Sequence, residues 1–174
     1  MSEVLLARHA QSFANKRDFA AFGNIDSPLT EKGLTQSDEL SKLFVAEYGI
    51  DPVNYNEPVL SSEFTRTQQT ANRVGFRNID INPLINEADV DREIGDGKDV
   101  IEKHKNERWA PELVRERARK FLDLVQKGEL EYQIFFTHGI FIASVLLELD
   151  TNSHIFDEKR GYVPLQASIT KIAI

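Results

Sequence analysis

The sequence contains no cysteine, which excludes disulfides, thiolate metal sites and cysteine nucleophiles. Positive charge is also scarce, because 21 Lys and Arg residues against 28 Asp and Glu residues give a net charge of −7 at pH 7. Such an acidic surface is not suited to neutralising the phosphates of nucleic acid or lipid, so any anion site must be a local basic pocket. We therefore predict neither a nucleic-acid partner nor a membrane partner.

Long hydrophobic runs are missing as well. The first apolar run, residues 4–7, is too short for the core of a signal peptide and is followed at once by Arg8 and His9. The longest uncharged stretch, residues 132–147, is shorter than the roughly 20 apolar residues that a spanning helix needs, and it contains several polar residues. These features predict a cytoplasmic protein.

Short apolar segments alternate with helical patterns along the 174 residues. We predict strands at 3–8, 58–62, 79–81, 132–137 and 167–174, and helices at 30–49, 64–74, 111–128 and 140–149. The third of these helices has one apolar stripe, formed by Val114, Ala118, Phe121, Leu122 and Val125. Strands that alternate with helices predict an α/β fold, a three-layer α/β/α sandwich around a mostly parallel central sheet.

The domain organisation follows from the length, since 174 residues suit one domain. We predict that residues 1–174 form a single domain. A polar stretch at about 83–110 is predicted to be a small surface excursion, with a short helix near 100–108.

Three of the predicted strands end in polar residues. Arg8 and His9 close the first strand, a pair of serines followed one turn later by Arg66 closes the second, and His138 and Gly139 close the fourth. The carboxyl ends of strands in an open α/β sheet meet at one crevice, where ligands bind. Arginines and the amino end of a helix both favour anions. The sequence therefore predicts a phosphoryl site at this crevice.

Five blocks of sequence follow one another in an order that resembles the histidine phosphatase superfamily, the phosphoglycerate-mutase-like family with an Arg-His-Gly motif. They lie at residues 6–15, 26–36, 61–71, 85–87 and 137–139, and together they cover nearly the whole chain. Two positions depart from the family pattern, because Ala10 and Ile140 stand where the family usually has glycine. The resemblance implies the phosphoglycerate-mutase-like version of the α/β sandwich.

The resemblance also implies an activity, the hydrolysis of a phosphomonoester through a phosphohistidine intermediate on His9. The implied substrate is a small phosphorylated metabolite, and neither a metal ion nor a cofactor is required. The residues implied to be catalytic are Arg8, His9, Arg66, Glu87 and His138. The residues implied to bind the phosphate are Arg8, Asn15, Arg66, His138 and Gly139.

The general acid has several candidates, because four carboxylates lie close together in one segment. Glu87 fits the family pattern best, and it would give its proton to the leaving oxygen. Asp89, Asp91 and Glu93 lie within six residues of it and remain alternatives.

Other functions compete with this reading. Within the family, the chain could be a mutase that moves phosphate within a sugar acid, or a phosphatase acting on phosphohistidine in a partner protein. An inactive module that binds phosphorylated ligands belongs to a different class. A zinc hydrolase using His9, His138 and a carboxylate is a further alternative. No pattern in the sequence specifies an oligomeric state.

Overall fold

The computed structural model describes residues 3–16, 26–87, 112–149 and 164–174. The strands in these residues are β1 (Glu3–Arg8), β2 (Val59–Ser61), β3 (Ile79–Ile81), β4 (Ile134–Thr137) and β5 (Ile169–Ala173). The α-helices are α1 (Glu31–Tyr48), α2 (Thr65–Val74), α3 (Glu112–Gln126) and α4 (Gly139–Leu149), and short 3-10 turns lie at Ala14–Lys16 and Pro83–Ile85. The predicted helix near 100–108 and most of the predicted excursion at 83–110 lie outside the described residues.

The strands form one sheet in the order β3-β2-β4-β1-β5. All neighbouring pairs are parallel except β1 and β5, which are antiparallel at the sheet edge. The three inner strands are short and apolar, and nearly all their residues are buried. This arrangement confirms the predicted α/β fold with a mostly parallel central sheet.

The two faces of the sheet carry separate cores, because successive side chains of a strand point to opposite faces. Leu5, Ala7 and Phe136 belong to the core that includes residues of α1 and α2. Leu6 and Phe135 belong to the other core, which includes residues of α3 and α4. The apolar stripe predicted for α3 is buried in this second core. Helices therefore cover the sheet on both faces.

The ends of the helices are fixed by local chemistry. The Thr30 side chain accepts the Gly33 N–H at 3.0 Å and caps the start of α1. At the end of the same helix Gly49 takes a φ of 65°, a left-handed conformation that suits glycine. The start of α2 is capped from a distant segment, since the two carboxylate oxygens of Asp26 accept the Thr65 N–H at 2.7 Å and its hydroxyl at 2.8 Å. None of the described helices is both long and apolar enough to cross a membrane.

Candidate active site

The strand register places the predicted site residues at one edge of the sheet. Arg8 at the end of β1 pairs with Thr137 at the end of β4. His9 and His138 are the next residues along these two parallel strands, and their ring centroids lie 5.1 Å apart. The end of β2 lies on the other side of β4, where Ser62 comes within reach of His138. The carboxyl ends of β1, β4 and β2 thus meet as the sequence predicts.

His9 is held by the backbone of its own segment and is 1% exposed. Its Nδ1 atom lies 2.7 Å from the Ala10 carbonyl oxygen, which can only accept, so Nδ1 carries the proton. The Nε2 atom therefore keeps its lone pair, and it accepts a hydrogen bond from Arg66 Nε at 3.2 Å. Burial lowers the pKa of His9 well below 6.5, and Arg66 and Arg8 lower it further. The ring is therefore neutral, and its Nε2 lone pair is directed at the Arg66 guanidinium.

Arg66 lies in the first turn of α2 and connects the other members of the site. Besides its bond to His9, its Nη2 atom lies 3.2 Å from His138 Nδ1 and 3.6 Å from Glu87 Oε2. The guanidinium stacks over the Phe64 ring at 4.3 Å, which supports the cation from one side. Burial lowers the pKa of Arg66, whereas the Glu87 and Asp26 carboxylates raise it. A buried cation in contact with neutral rings is suited to binding an anion.

His138 follows β4 directly and is fully buried. Its Nε2 atom lies 2.8 Å from Ser62 Oγ, and its ring packs edge-on against Phe64 at 5.0 Å between centroids. Burial lowers the pKa of His138 well below 6.5, and the positive charges of Arg66, Arg8 and Arg117 act in the same direction. The ring is therefore neutral near pH 7.

Glu87 joins the site from the segment after β3. Its Oε1 atom accepts the Ile140 N–H at 3.0 Å, at the amino end of α4. Its other oxygen, Oε2, lies 3.6 Å from Arg66 Nη2 and 3.9 Å from His138 Nδ1. Among the described residues, Glu87 is thus a carboxylate that lies against both Arg66 and His138.

The residue before Glu87 fixes this segment in place. Asn86 is 4% exposed, and its side chain accepts the Glu63 N–H at 3.0 Å and donates to Glu63 Oε2 at 2.8 Å. The Asn86 carbonyl accepts a hydrogen bond from Arg117 of α3 at 3.2 Å. Glu87 is thus anchored to both the β2–α2 connection and α3.

Three other predicted site residues differ in their placement. Arg8 is partly buried at the end of β1, and its Nη1 atom donates to the Pro164 carbonyl. Gly139 is buried as the first residue of α4, next to His138. Asn15 is exposed, and its amide oxygen accepts the backbone N–H and the hydroxyl of Ser12 at 2.9 and 3.1 Å. Within the described chain, these hydrogen bonds link Asn15 to its own turn rather than to the two histidines.

The departure from the family pattern at Ala10 causes no strain. Ala10 is fully buried and does not take a positive φ, so its methyl group is compatible with the backbone. Its N–H donates to Thr70 Oγ1 at 3.1 Å, which ties the segment after β1 to α2. A true requirement for glycine occurs instead at Gly33, where a Cβ atom would lie 2.1 Å from the Gln11 carbonyl oxygen. The segment that follows His9 therefore packs directly on the backbone of α1.

Several supporting residues carried no assigned role in the sequence. Ser62, Phe64, Thr67, Thr70 and Asn86 are all buried around the two histidines and Arg66. A signal for the threonines was present, because Thr67 and Thr70 lie on the same face of α2 as the buried Ala71 and Val74. Polar residues on the buried face of a helix need hydrogen-bond partners, which points to a site. Asp89, Asp91 and Glu93 lie outside the described residues.

The described residues also bear on the metal alternative. Among them, no three His, Asp or Glu side chains lie close enough together to form a metal-binding group.

The fold and the site together define an α/β protein with a buried cluster of histidine and arginine side chains at the carboxyl edge of its sheet. Residues 4–173 match the histidine phosphatase superfamily, branch 1. The chain therefore belongs to this superfamily. No curated protein matches the chain in sequence.

Solved structures share this fold over almost the full chain. One is an Escherichia coli protein provisionally described as an alpha-ribazole-5'-P phosphatase, with 21% identity, a TM-score of 0.69, and coverage of 100% of this chain and 91% of that one. Phosphoserine phosphatase from Entamoeba histolytica, in complex with 3-phosphoglyceric acid, has 19% identity, a TM-score of 0.66, and coverage of 98% and 90%. Mycobacterial glucosyl-3-phosphoglycerate phosphatase, in complex with VO3, has 18% identity, a TM-score of 0.61, and coverage of 99% and 91%.

Proposed function

We propose that this protein is a phosphomonoester hydrolase that forms a phosphohistidine on His9 and needs no metal ion. The observation that carries the proposal is the state of His9. Its Nδ1 proton is bound by the Ala10 carbonyl at 2.7 Å, which leaves the Nε2 lone pair facing Arg66 Nε at 3.2 Å. A neutral imidazole nitrogen can act as a nucleophile, and the buried guanidinium beside it is a cation suited to binding the phosphoryl group.

The reaction has two steps. The Nε2 lone pair attacks phosphorus and forms an N–P bond while the bond to the leaving oxygen breaks, and Glu87 in its acid form gives that oxygen a proton. A water molecule then attacks phosphorus, the N–P bond breaks with its electron pair returning to Nε2, and Glu87 recovers a proton from the water. Phosphate leaves and the enzyme returns to its first state.

Positive groups around His9 would stabilise the transferring phosphoryl group. Phosphoryl transfer depends mainly on positioning and on stabilising negative charge, which arginines supply without a metal ion. Arg66 would contact a phosphoryl oxygen, and Arg8 would add positive charge from the end of β1. The Ile140 N–H, which now binds Glu87 Oε1 at 3.0 Å, is a further donor at the amino end of α4.

The proposed substrate class is a small phosphorylated metabolite. The names of the structurally similar phosphatases refer to such compounds: phosphoserine, a glucosyl-phosphoglycerate and alpha-ribazole-5'-phosphate. An alkyl oxygen is a poor leaving group and benefits from an acid such as Glu87, whereas the imidazole of a phosphohistidine needs little help. This difference favours a phosphomonoester over a phosphohistidine in a partner protein.

Trapping the intermediate tests the proposal. Enzyme mixed with ³²P-labelled phosphomonoester and quenched with base should carry a base-stable, acid-labile phosphoryl group, and His9→Ala should carry none. The surface variant Lys127→Ala should be labelled like the wild type. Label retained in His9→Ala would place the nucleophile elsewhere.

Two further measurements complete this test. Turnover should continue in excess chelator, and loss of activity that zinc or magnesium restores would overturn the metal-independent reading. Inorganic phosphate should be the product, whereas quantitative transfer to a second hydroxyl would instead identify a mutase.

A further inference from the structure

A chain of buried hydroxyl groups joins the Nε2 side of His138 to α2. The Nε2 atom lies 2.8 Å from Ser62 Oγ, and Ser62 Oγ lies 2.8 Å from Thr67 Oγ1. Thr67 Oγ1 in turn lies 2.6 Å from the Phe64 carbonyl oxygen. The side chains of Ser62, Thr67 and His138 are fully buried. These groups therefore satisfy one another rather than binding bulk water.

The number of available protons decides which group donates in each of these hydrogen bonds. Thr67 Oγ1 faces two carbonyl oxygens, that of Phe64 at 2.6 Å and that of Ser62 at 3.2 Å. A carbonyl oxygen cannot donate, so Thr67 must give its hydroxyl proton to a carbonyl, and that of Phe64 is the nearer. The Thr67 oxygen can then only accept from Ser62, which uses the Ser62 proton. Ser62 Oγ also accepts the Phe64 N–H at 3.3 Å, and its remaining lone pair faces His138. The Nε2 atom of His138 must therefore be the donor.

We propose that Ser62 and Thr67 are positioning residues that hold His138 in the tautomer with its proton on Nε2, so that the ring can donate to a bound phosphoryl oxygen only after Nδ1 takes up a proton. His9 takes the opposite tautomer, since its Nδ1 proton is bound by the backbone. The tautomer of His9 is thus fixed by a backbone carbonyl, whereas that of His138 is fixed by a chain of hydroxyl groups. The consequence for ligand binding rests on the proposed phosphatase function, whereas the tautomer itself does not.

The surroundings of Nδ1 explain why the proton arrives together with an anion. Nδ1 accepts from Arg66 Nη2 at 3.2 Å, so a neutral ring is the form that fits. Burial and the neighbouring cations lower the pKa of His138, which agrees with this state. A bound oxyanion would offset the cations and favour a proton on Nδ1. The titratable and charged groups that act on this ring belong to Arg8, His9, Arg66, Glu87 and Arg117.

Nuclear magnetic resonance of the ligand-free, ¹⁵N-labelled protein reads the tautomers directly. Long-range ¹H–¹⁵N correlations at neutral pH should show His138 with a protonated Nε2 and an unprotonated Nδ1, and His9 with the reverse. Signals are assigned by their loss in His138→Asn and His9→Asn. A His138 ring that carries its proton on Nδ1, or that populates both tautomers equally, would overturn the proposal.

Variants of the hydroxyl chain test the cause. Thr67→Val removes the acceptor of the Ser62 proton, so Ser62 can turn and donate to His138 Nε2, and the ring should shift to the Nδ1–H tautomer. Thr67→Ser should restore the wild-type spectrum. Ser61→Ala is the matched control, because Ser61 is equally buried but donates to the Ser62 carbonyl at 3.1 Å. An unchanged His138 spectrum in Thr67→Val, or an equal change in Ser61→Ala, would contradict the assignment.

Sulfate binding tests the coupling to a proton. Sulfate does not titrate between about pH 5 and pH 8, so the pH dependence of its affinity reports the protein alone, and a Glu87→Gln background removes the nearby carboxylate. In that background affinity should fall about tenfold per pH unit above the pKa of free His138, the slope expected for the uptake of one proton. Adding Thr67→Val should flatten this dependence, because a neutral ring could then donate from Nδ1. Equal slopes with and without Thr67→Val would overturn the coupling.

Turnover of a phosphomonoester on the same samples separates the two proposals. No turnover with the expected His138 tautomer would remove the proposed function and leave the positioning role intact. Normal turnover with His138 in the Nδ1–H tautomer would remove the positioning role alone.

Discussion

The protein has two arginine–carboxylate clusters that differ in depth and in geometry. In the crevice, Arg66 is 3% exposed, and its Nη2 atom lies 3.6 Å from Glu87 Oε2. On the surface between α3 and α4, Glu148 Oε1 lies 2.7 Å from Arg115 Nη2 and 3.1 Å from Arg119 Nη1. The crevice cluster has a long ion pair and two imidazole contacts. The surface cluster has short ion pairs.

This difference reflects two uses of the same residue types. Short ion pairs near the surface join neighbouring helices and contribute little to stability, because water and salt screen them. A buried guanidinium that contacts neutral imidazoles has lost its hydration, and its interaction with an incoming anion is correspondingly strong. We therefore expect the crevice cluster to bind a ligand and the surface cluster to contribute to the packing of α3 on α4. Neutral substitutions of the carboxylates and arginines in each cluster test this contrast.

The largest effect is expected at the crevice carboxylate. Glu87→Gln should slow hydrolysis of alkyl phosphates by roughly 10²–10⁴-fold, because a poor leaving oxygen needs a proton from a general acid. Aryl phosphates with acidic leaving groups should be affected distinctly less. Steady-state kcat/KM for a series of leaving groups measures this dependence.

The control for Glu87→Gln is the same change at Glu148, which should leave both substrate classes unaffected. Asp89→Asn, Asp91→Asn and Glu93→Gln should also lack the leaving-group dependence. An equal loss on alkyl and aryl substrates in Glu87→Gln would assign Glu87 a positioning role. The leaving-group signature in Asp89→Asn, Asp91→Asn or Glu93→Gln would move the acid to that residue.

The next effect concerns the crevice arginine. Arg66→Met should lower turnover by roughly 10²–10³-fold, the usual cost of losing one charge-stabilising donor. It should also abolish the rise in Tm that phosphate gives the wild type by binding the folded state. Arg119→Met, the matched change in the surface cluster, should retain both properties. Thermal unfolding with and without phosphate measures the rise in Tm, and kcat/KM measures turnover. Equal losses in Arg66→Met and Arg119→Met would show that the positive charge contributes to phosphate binding from the whole surface rather than from Arg66.

A smaller effect is expected in the pH dependence of stability. Burial, with Arg66, holds the pKa values of His9 and His138 well below 6.5 in the folded protein. Below pH 6.5 the unfolded chain then binds more protons than the folded one, so the free energy of unfolding falls as the pH falls toward the folded pKa values. The slope approaches about 1.4 kcal/mol per pH unit for each proton.

Urea unfolding between about pH 5 and pH 8, in buffer without oxyanions, measures this slope. His9→Gln and His138→Gln should each reduce the slope by the contribution of one proton. A slope that stays the same in both variants would mean that neither ring is neutral and buried in the folded state.

Sequence patterns identify much of this molecule because they depend on local repetition. Strand and helix positions follow from apolar periodicity, and the stripe of α3 is buried as the pattern predicts. The meeting of His9 and His138 follows from one rule, that the carboxyl ends of parallel strands share an edge. These features need no knowledge of which side chains touch.

Contacts between distant segments are the part that the sequence does not show. Ser62 and His138 are 76 residues apart, and Asn86 and Glu63 are 23 apart, so no spacing rule pairs them. The sequence also does not show in which direction a single side chain points. Asn15 is an example, because its amide oxygen accepts a hydrogen bond from Ser12. A hydrogen bond forms only when the donor–acceptor distance falls within a range of a few tenths of an ångström, and these distances are defined only in the folded chain.

The smallest effect is expected at the surface carboxylate. The Glu148 side chain is 13% exposed and accepts hydrogen bonds from Arg115 Nε at 2.8 Å and Arg119 Nη1 at 3.1 Å. Glu148→Gln keeps the shape and removes the charge, so it should lower the free energy of unfolding by about 1 kcal/mol or less at low salt. At about 1 M salt the difference should shrink, because charges are then screened within roughly 3 Å.

Urea unfolding at the two salt concentrations measures this change, and kcat/KM should equal that of the wild type in both. Glu47→Gln, on the exposed side of α1, is the control and should change neither quantity. A loss of turnover in Glu148→Gln would show that the surface cluster also shapes the crevice, since α4 begins beside His138 and carries Glu148 near its other end. Turnover equal to that of the wild type would show that the surface cluster contributes only to the packing of α3 on α4.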